Sequence, residues 1–274
     1  MYRDAIFGAG NSSGEIKTAW LELGFKFGDK GTHTSRTIML EELSTVLHQR
    51  PASSRRADYA KAIVEDNCLG KHTASTRKLS LQRLSELYAL DPSVPLFRLL
   101  RVFWVADERA HGQLALLAAL CRDPLLRATA SVVLQMKPGE EVARQRFTDV
   151  LRDAVAGRLN DSTLDKVVRN TASSWTQSGH LDGRSRKRRL RIQPTPASTG
   201  FALLLGYLLG VRGRDLFETL FARALDREMD ELTFLATDAK RLGFLDMKSG
   251  GGMTVISFDL ILTQQEKELV HGAH

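Results

Sequence analysis

The amino-acid sequence predicts a mainly α-helical fold: a helical bundle with helix-turn-helix and winged-helix units and small β-hairpin wings. Apolar residues recur at helical spacing along most of the chain. Pro, Asp and Gly bound these periodic segments, as they bound helices in a compact bundle. Only two short stretches, at 180–192 and 244–263, have the alternation and turn residues of a β-hairpin.

Composition narrows the class of protein. The 274 residues are 43% hydrophobic and 26% charged, which is typical of a globular protein. The longest apolar run, FALLLGYLLGV at 201–211, is shorter than the ~18 residues that span a bilayer, so we expect a buried helix and no membrane partner. The first residues lack a signal-peptide core, and Cys68 and Cys121 have no disulfide or metal-binding pattern. These features predict a cytoplasmic protein.

The helices follow one another closely. One is expected around Trp20, and Ser35 is expected to cap a second that ends before Pro51. Trp104 and Trp175 lie in apolar patterns and are predicted to pack in the core rather than stack on bases. The remaining predicted helices before residue 160 are RRADYAKAIVEDN, ASTRKLSLQRLSELYAL, VPLFRLLRVFWVADE, HGQLALLAALC, DPLLRATASVVLQM and PGEEVARQRFTDVLRDAVAG.

Two later stretches end in the same way. Ser162 and Asp165 predict a capping box that opens DSTLDKVVRNTASSWTQSG, and the strip GHLDGRSRKRRLRI follows. Near the C-terminus, MDELTFLATDAKRLG predicts a helix and FLDMKSGGGMTVISFDLIL two strands around a Ser-Gly-Gly-Gly turn. The stretches align without a gap, with the pairs Gly179/Gly243, Leu181/Leu245, Asp182/Asp246, Ser185/Ser249 and Ile192/Ile256.

A helix, a glycine stop and a hairpin form the end of a winged-helix domain, in which the helix enters the major groove and the wing lies on phosphates. We therefore predict two such units. The predicted domains are an N-terminal helical domain with a helix-turn-helix-like segment (1–92), a helical bundle that ends in a basic winged-helix unit (93–196), and a C-terminal winged-helix-like unit (197–274).

The first predicted wing is strongly basic. Six of the eight residues from 184 to 191 are Arg or Lys with no acid among them, in a chain of net charge +7. Such a run repels itself and favours phosphate contact over a solvated loop or a localisation signal, because it directly follows a helix. The candidate nucleic-acid-binding residues here are Arg184, Arg186, Lys187, Arg188, Arg189 and Arg191, with Arg169 on the preceding helix.

A second basic site lies at 71–83, where bases and hydroxyls are interleaved at the start of a helix. Helix N-termini offer free N–H groups to a phosphate. The alternative is that Thr73 caps the helix while the bases are solvated, and the sequence leaves both open. The candidate residues are Lys71, Thr73, Ser75, Thr76, Arg77, Lys78 and Arg83.

The sequence does not match the catalytic motifs that we compared with it. A P-loop ending at Gly70-Lys71 would need glycine where Glu65 stands and a hydroxyl where His72 stands. The histidines have no metal-ligand spacing, and the nucleophile motif G-x-S-x-G is absent. We therefore predict no catalytic residue, cofactor or metal.

The order of parts resembles the BrxA family of bacterial BREX phage-defence systems. The residues that carry the resemblance are LGKHTASTRKLSLQRLSELYAL, LLAALCRDPLLRATASVVL and DSTLDKVVRNTASSWTQSGHLDG, within 60–192. The resemblance implies a helical, non-enzymatic protein that binds double-stranded DNA and works with other defence proteins, with middle helices bundled as in the antitermination factor NusB. This chain differs by extending about 80 residues further.

Three functions are consistent with these features. The first is a DNA-binding accessory protein of a phage-defence system, which would bind unrelated duplexes about equally. The second is a winged-helix transcriptional regulator, which would protect one palindromic operator. The third is an RNA-binding or scaffold protein that acts through the central helices, for which structured RNA would compete better than duplex DNA.

Overall fold

The computed structural model describes residues 14–250 and 253–272, and these residues form a mainly helical bundle with two small antiparallel hairpins. The predicted fold class is confirmed. The helices of the first half are α1 (Gly14–Leu23), α2 (Leu40–Gln49), α3 (Arg56–Val64), α4 (Ala74–Tyr88), α5 (Pro95–Trp104), α6 (His111–Arg122), α7 (Pro124–Ala128) and α8 (Ala130–Leu134).

The second half contains both hairpins. Its elements are α9 (Arg144–Val155), α10 (Asp161–Gln177), β1 (Leu181–Asp182), β2 (Arg188–Arg189), α11 (Pro196–Leu208), α12 (Leu220–Arg223), α13 (Met229–Arg241), β3 (Asp246–Gly250), β4 (Met253–Ser257) and α14 (Gln264–Gly272). Residues 251–252, in the predicted Ser-Gly-Gly-Gly turn, lie outside the described residues.

One continuous core joins the halves. Residues 113–121 of α6 and 197–208 of α11 are buried without interruption, and these two helices pack on each other and on α5. The buried helix predicted from FALLLGYLLGV is confirmed. Trp104 and Trp175 are also buried, as predicted. In the described ranges, no helix has the length and apolar character needed to cross a membrane.

Three predicted helix starts are wrong. Ser35 caps nothing: its hydroxyl donates to Thr32 O, and α2 begins only after Met39, which has a left-handed backbone. The N-cap of α10 is Asn160, whose side chain accepts from Thr163 N, so Ser162 and Asp165 lie inside the helix. Each helix therefore starts where another polar group or turn satisfies its first N–H groups.

The third wrong start reveals a strand-like segment. PGEEVARQRFTDVLRDAVAG was predicted to be helical throughout, but α9 begins at Arg144. Residues 139–142 instead pair with β2: Gly139 N donates to Arg189 O at 2.7 Å and Val142 N to Lys187 O at 2.8 Å. Strand β2 thus lies between this segment and β1 in an antiparallel arrangement.

The order of elements from α7 to β2 is that of a winged-helix unit. The short helices α7 and α8 are followed by a strand-like segment, the two helices α9 and α10, and a two-stranded hairpin whose second strand pairs back on that segment. We call residues 124–192 the first unit and the loop 183–187 its wing. Residues 196–257 form the second unit, in which the 3-10 helix Gly213–Glu218 packs along β4.

The two units end their long helices with the same hydrogen bonds. Gly179 and Gly243 both have left-handed backbones, with φ of 84° and 80°. His180 N donates to Trp175 O at 3.0 Å, and at the aligned position Phe244 N donates to Ala239 O at 3.1 Å. This is the hydrogen-bond pattern of a Schellman C-cap, which confirms the alignment at the helix ends.

Candidate nucleic-acid interface

The wing is a tight turn that requires its glycine. Gly183 has φ of +101°, and a Cβ atom there would lie 2.2 Å from Arg186 O. Strand pairing then sets Leu181 opposite Arg189 and Asp182 opposite Arg188. Because side chains alternate along a strand, Arg188 faces solvent while Arg189 faces the interior.

Three arginines of the basic strip, residues 184–191, are open to solvent on the wing. Arg184, Arg186 and Arg188 are all exposed. Arg186 lies 4.0 Å from Glu141 with its side chain 84% exposed, and among the described residues neither Arg184 nor Arg188 has an ion pair. All three guanidinium groups are therefore accessible to phosphates.

Arg189 differs from these three arginines, because burial removes this predicted nucleic-acid-binding residue from the exposed surface of the wing. It is only 3% exposed and is paired with Asp226 of the second unit. Its guanidinium also donates to Val133 O at 2.9 Å and His180 O at 3.2 Å. A buried guanidinium needs such partners because an unpaired buried charge is strongly unfavourable.

Lys187 and Arg191 have partners within the protein as well. Lys187 Nζ donates to Thr176 Oγ1 at 2.8 Å and to Gly183 O at 3.0 Å, and partial burial lowers the pKa of this ammonium. Arg191 is half-exposed and lies 3.3 Å from Glu231. The strip is therefore divided between groups that face solvent and groups that hold the hairpin.

Helix α10 presents a polar stripe beside the wing. The residues of this stripe recur every three or four positions, so they share one face of the helix. They are half-buried or exposed, while the opposite face, with Leu164, Val168 and Trp175, is buried. The stripe consists of Ser162, Lys166, Arg169, Ser173 and Thr176.

Arg169 is at the centre of this stripe. Its Nε atom lies 3.6 Å from Asp165 on the same helix, and its side chain remains 60% exposed. The stripe meets the wing at its last residue, since Thr176 accepts from Lys187. A helix face of hydroxyls and bases flanked by a basic hairpin matches the chemistry of a duplex groove and its phosphates.

The second basic site, 71–83, forms a smaller surface. Thr73 caps α4, because its hydroxyl accepts from Thr76 N at 3.1 Å, so the cap that the second alternative required is present. Ser75, Thr76 and Lys78 are exposed. The other bases lie against protein: Lys71 pairs with Glu42, Arg77 donates to Val64 O, and Arg83 pairs with Glu86.

One constellation was missed by sequence reasoning. His33 Nδ1 lies 2.8 Å from Asp123 Oδ2, and its Nε2 lies 2.8 Å from Ser174 Oγ, in the order of a Ser-His-Asp triad. All three side chains are at most 1% exposed, and Ser174 Oγ also accepts from Ile38 N. These three residues hold together segments of the chain that are far apart in sequence. Because Ser174 is fully buried, a substrate cannot reach its hydroxyl.

Asp123 shows how this network is held. Burial raises the pKa of the carboxyl, but the neighbouring His33 and hydrogen bonds from the backbone outweigh it, so the pKa lies below its usual value. The carboxylate also accepts from Leu125 N and Leu126 N at the start of α7. No local motif marks these residues, because His33, Asp123 and Ser174 are far apart in sequence.

In the described part of the chain, no group of three His, Cys, Asp or Glu residues could hold a metal ion. Comparison with known proteins finds no family model that matches the chain and no curated protein that is significantly similar. The resemblance to the BrxA family therefore stays a prediction from the residues quoted above.

Proposed function

We propose that the protein is a non-enzymatic DNA-binding protein that holds duplex phosphates through the wing of its first unit. The observation that carries the proposal is the exposure of Arg184, Arg186 and Arg188 on one short hairpin, next to the polar stripe of α10. Following the resemblance to the BrxA family, we propose that it acts in a cytoplasmic phage-defence system with other proteins.

A salt titration of duplex affinity tests this function. Changing Arg184, Arg186 and Arg188 together to Ala should flatten the log–log salt dependence by about 2–3 units, because each lost phosphate contact removes about one. Arg189 is excluded from this variant because it is buried. A thermal melt should show the fold unchanged, since exposed loop residues contribute little to the core.

The matched control changes bases that are exposed elsewhere. Arg55, Arg56 and Lys61, on or beside α3, are also exposed, and their change to Ala removes the same charge. If this control flattens the salt dependence as much as the wing variant, net charge alone is responsible and the wing assignment fails. Parallel salt lines for wild type and wing variant would also overturn it.

The polar stripe of α10 favours a second candidate, a sequence-specific transcriptional regulator. Lys166, Arg169 and the hydroxyls of the stripe could read base edges, whereas the wing alone holds phosphates. A footprint over random genomic duplexes separates the two functions. One protected palindromic site indicates the regulator, and uniform binding indicates the accessory protein. Stronger competition by structured RNA would favour an RNA-binding role.

A further inference from the structure

The second unit lies against the base of the first unit's hairpin. Asp226, in the turn before α13, pairs with the buried Arg189, and its other oxygen accepts from Ile192 N at 3.4 Å. Asp226 O accepts from Arg191 Nε at 3.2 Å. His180 Nε2 lies 2.7 Å from Ala224 O, which only accepts, so this nitrogen carries the proton.

The turn itself has a demanding conformation. Asp226 has φ of 55°, a left-handed backbone that non-glycine residues adopt at a cost. Asp and Asn tolerate this region better than other residues. The carboxylate is thereby aimed at the hairpin, and Arg189 reaches it from a strand 37 residues earlier in the chain.

The wing is also held from its other side. Lys187 Nζ joins the carbonyl of Gly183, at the start of the turn, to Thr176 on the last turn of α10. Lys187 and Arg189 thus fix the hairpin to α10 and to the second unit. The bases between and beside them, Arg184, Arg186 and Arg188, remain exposed.

We propose that Asp226 is a positioning residue for nucleic-acid binding, so that the second unit forms part of the first unit's site. It acts through Arg189, which holds β2 in the register that turns Arg184, Arg186 and Arg188 outward together. The inference rests on the proposed function. Holding these side chains in place before binding reduces the ordering cost of association.

The sign of the effect distinguishes positioning from simple electrostatics. Removing a carboxylate near a phosphate-binding surface should strengthen binding, because the acid repels the ligand. Loss of positioning should weaken it. The change Asp226→Asn keeps the shape and suits the left-handed backbone, but removes the charge that Arg189 requires.

The experiment measures duplex affinity of the full chain against salt concentration, well below the unfolding temperature of each variant. Asp226→Asn should weaken binding by about tenfold, equivalent to the ordering cost of one or two side chains, with an unchanged salt slope. Asp230→Asn is the matched control, since Asp230 is exposed and has no ion pair among the described residues. Its affinity should equal wild type or rise slightly.

Two further variants separate the possible failures. Arg188→Ala removes a direct contact and should lower the salt slope by about one unit. If its slope equals wild type, the proposed function fails. If the slope falls but Asp226→Asn binds as well as Asp230→Asn, the proposed function stands and the positioning role is overturned.

Arg189→Lys keeps the test decisive if Asp226→Asn does not fold. Lysine retains the charge but lacks the planar fork that reaches Val133 O, His180 O and Asp226 together. Weaker binding with an unchanged slope is expected. Binding equal to wild type would show that the hydrogen bonds of the Arg189 guanidinium do not position the wing and would overturn the proposed role of Asp226.

Discussion

The two units share a helix, a glycine stop and a hairpin, and they differ in what they expose. In both hairpins the leucine after the glycine stop is buried, Leu181 in the first and Leu245 in the second. The first hairpin then exposes Arg184, Arg186 and Arg188. The second exposes Met253 and Val255, at 73% and 62%, on the outward face of β4.

The helices before the hairpins, α10 and α13, also differ in charge: the first carries exposed bases at two positions where the second does not. Lys166 and Arg169 of α10 align with Asp230 and Thr233 of α13, so the second helix loses both bases of the stripe. Phe234, which is 67% exposed, lies beside them on α13. Buried leucines and a left-handed glycine determine the shape of each unit, while the outward residues determine its chemistry. The fold alone therefore does not assign a nucleic-acid role to the second unit.

The largest expected difference between the units is in their response to acid. Burial lowers the pKa of His180 from 6.5 to about 4, so this side chain is neutral in the fold. Its contribution to stability is complete above pH 6.5 and is lost as the pH falls towards 4, because the unfolded chain binds the proton first. The loss is about 1.4 kcal/mol per pH unit in this window.

The aligned residue Phe244 does not titrate, so His180→Phe copies the second unit into the first. Denaturant unfolding between pH 7.5 and 4.5 should show a flatter pH dependence for this variant. Its stability at pH 7.5 should be lower, since the contact with Ala224 O is lost. An unchanged pH dependence would show that His180 is not the group responsible.

The second largest expected difference between the units is the effect of a glycine-to-alanine change in the turn of each hairpin. Gly183→Ala should destabilise the fold by about 1–3 kcal/mol, because alanine is strained at this positive φ and its Cβ would meet Arg186 O. The change leaves all charges in place, yet duplex affinity should fall as the wing loses its shape. Thermal melting and a binding titration measure the two effects.

Gly250 of the second hairpin is the control. A Cβ atom there has no neighbour within 4 Å, and the residue has no positive φ. Gly250→Ala should therefore leave both the melting temperature and duplex affinity close to wild type. Equal losses for the two glycine variants would show that the hairpins do not differ in this respect.

Local patterns predicted much of the fold and only part of the site. Helical periodicity and the glycines at 179 and 243 predicted most of the helices and both hairpins, because these signals act between neighbours, but three of the helix starts were predicted wrongly. Alternation along a strand implies that some bases of the strip turn inward. It did not identify Arg189, because that depends on Asp226, a partner 37 residues away, and on pairing with residues 139–142.

The stripe on α10 should have a smaller effect than the turn. Arg169→Ala should lower the salt slope of duplex binding by about one unit if the guanidinium reaches a phosphate. If it reads a base edge, the loss should instead depend on sequence, by about 1–3 kcal/mol at one position. The aligned change Thr233→Ala should alter neither. A full effect from Thr233→Ala would mean that α13 also contacts the duplex.

The smallest expected effect concerns the exposed aromatic ring of the second unit. Phe234 is 67% exposed, so Phe234→Ser should change the free energy of unfolding by no more than about 0.5 kcal/mol. Because phenylalanine and serine are both uncharged, the salt slope of duplex binding should also stay at its wild-type value. Urea unfolding and a salt titration check the two expectations.

A reduced duplex affinity would place α13 against DNA, where a ring can contact bases or sugars, and would remove the functional difference between the units. An unchanged affinity would confine the nucleic-acid surface to the first unit, in keeping with the loss of Lys166 and Arg169 from the aligned positions.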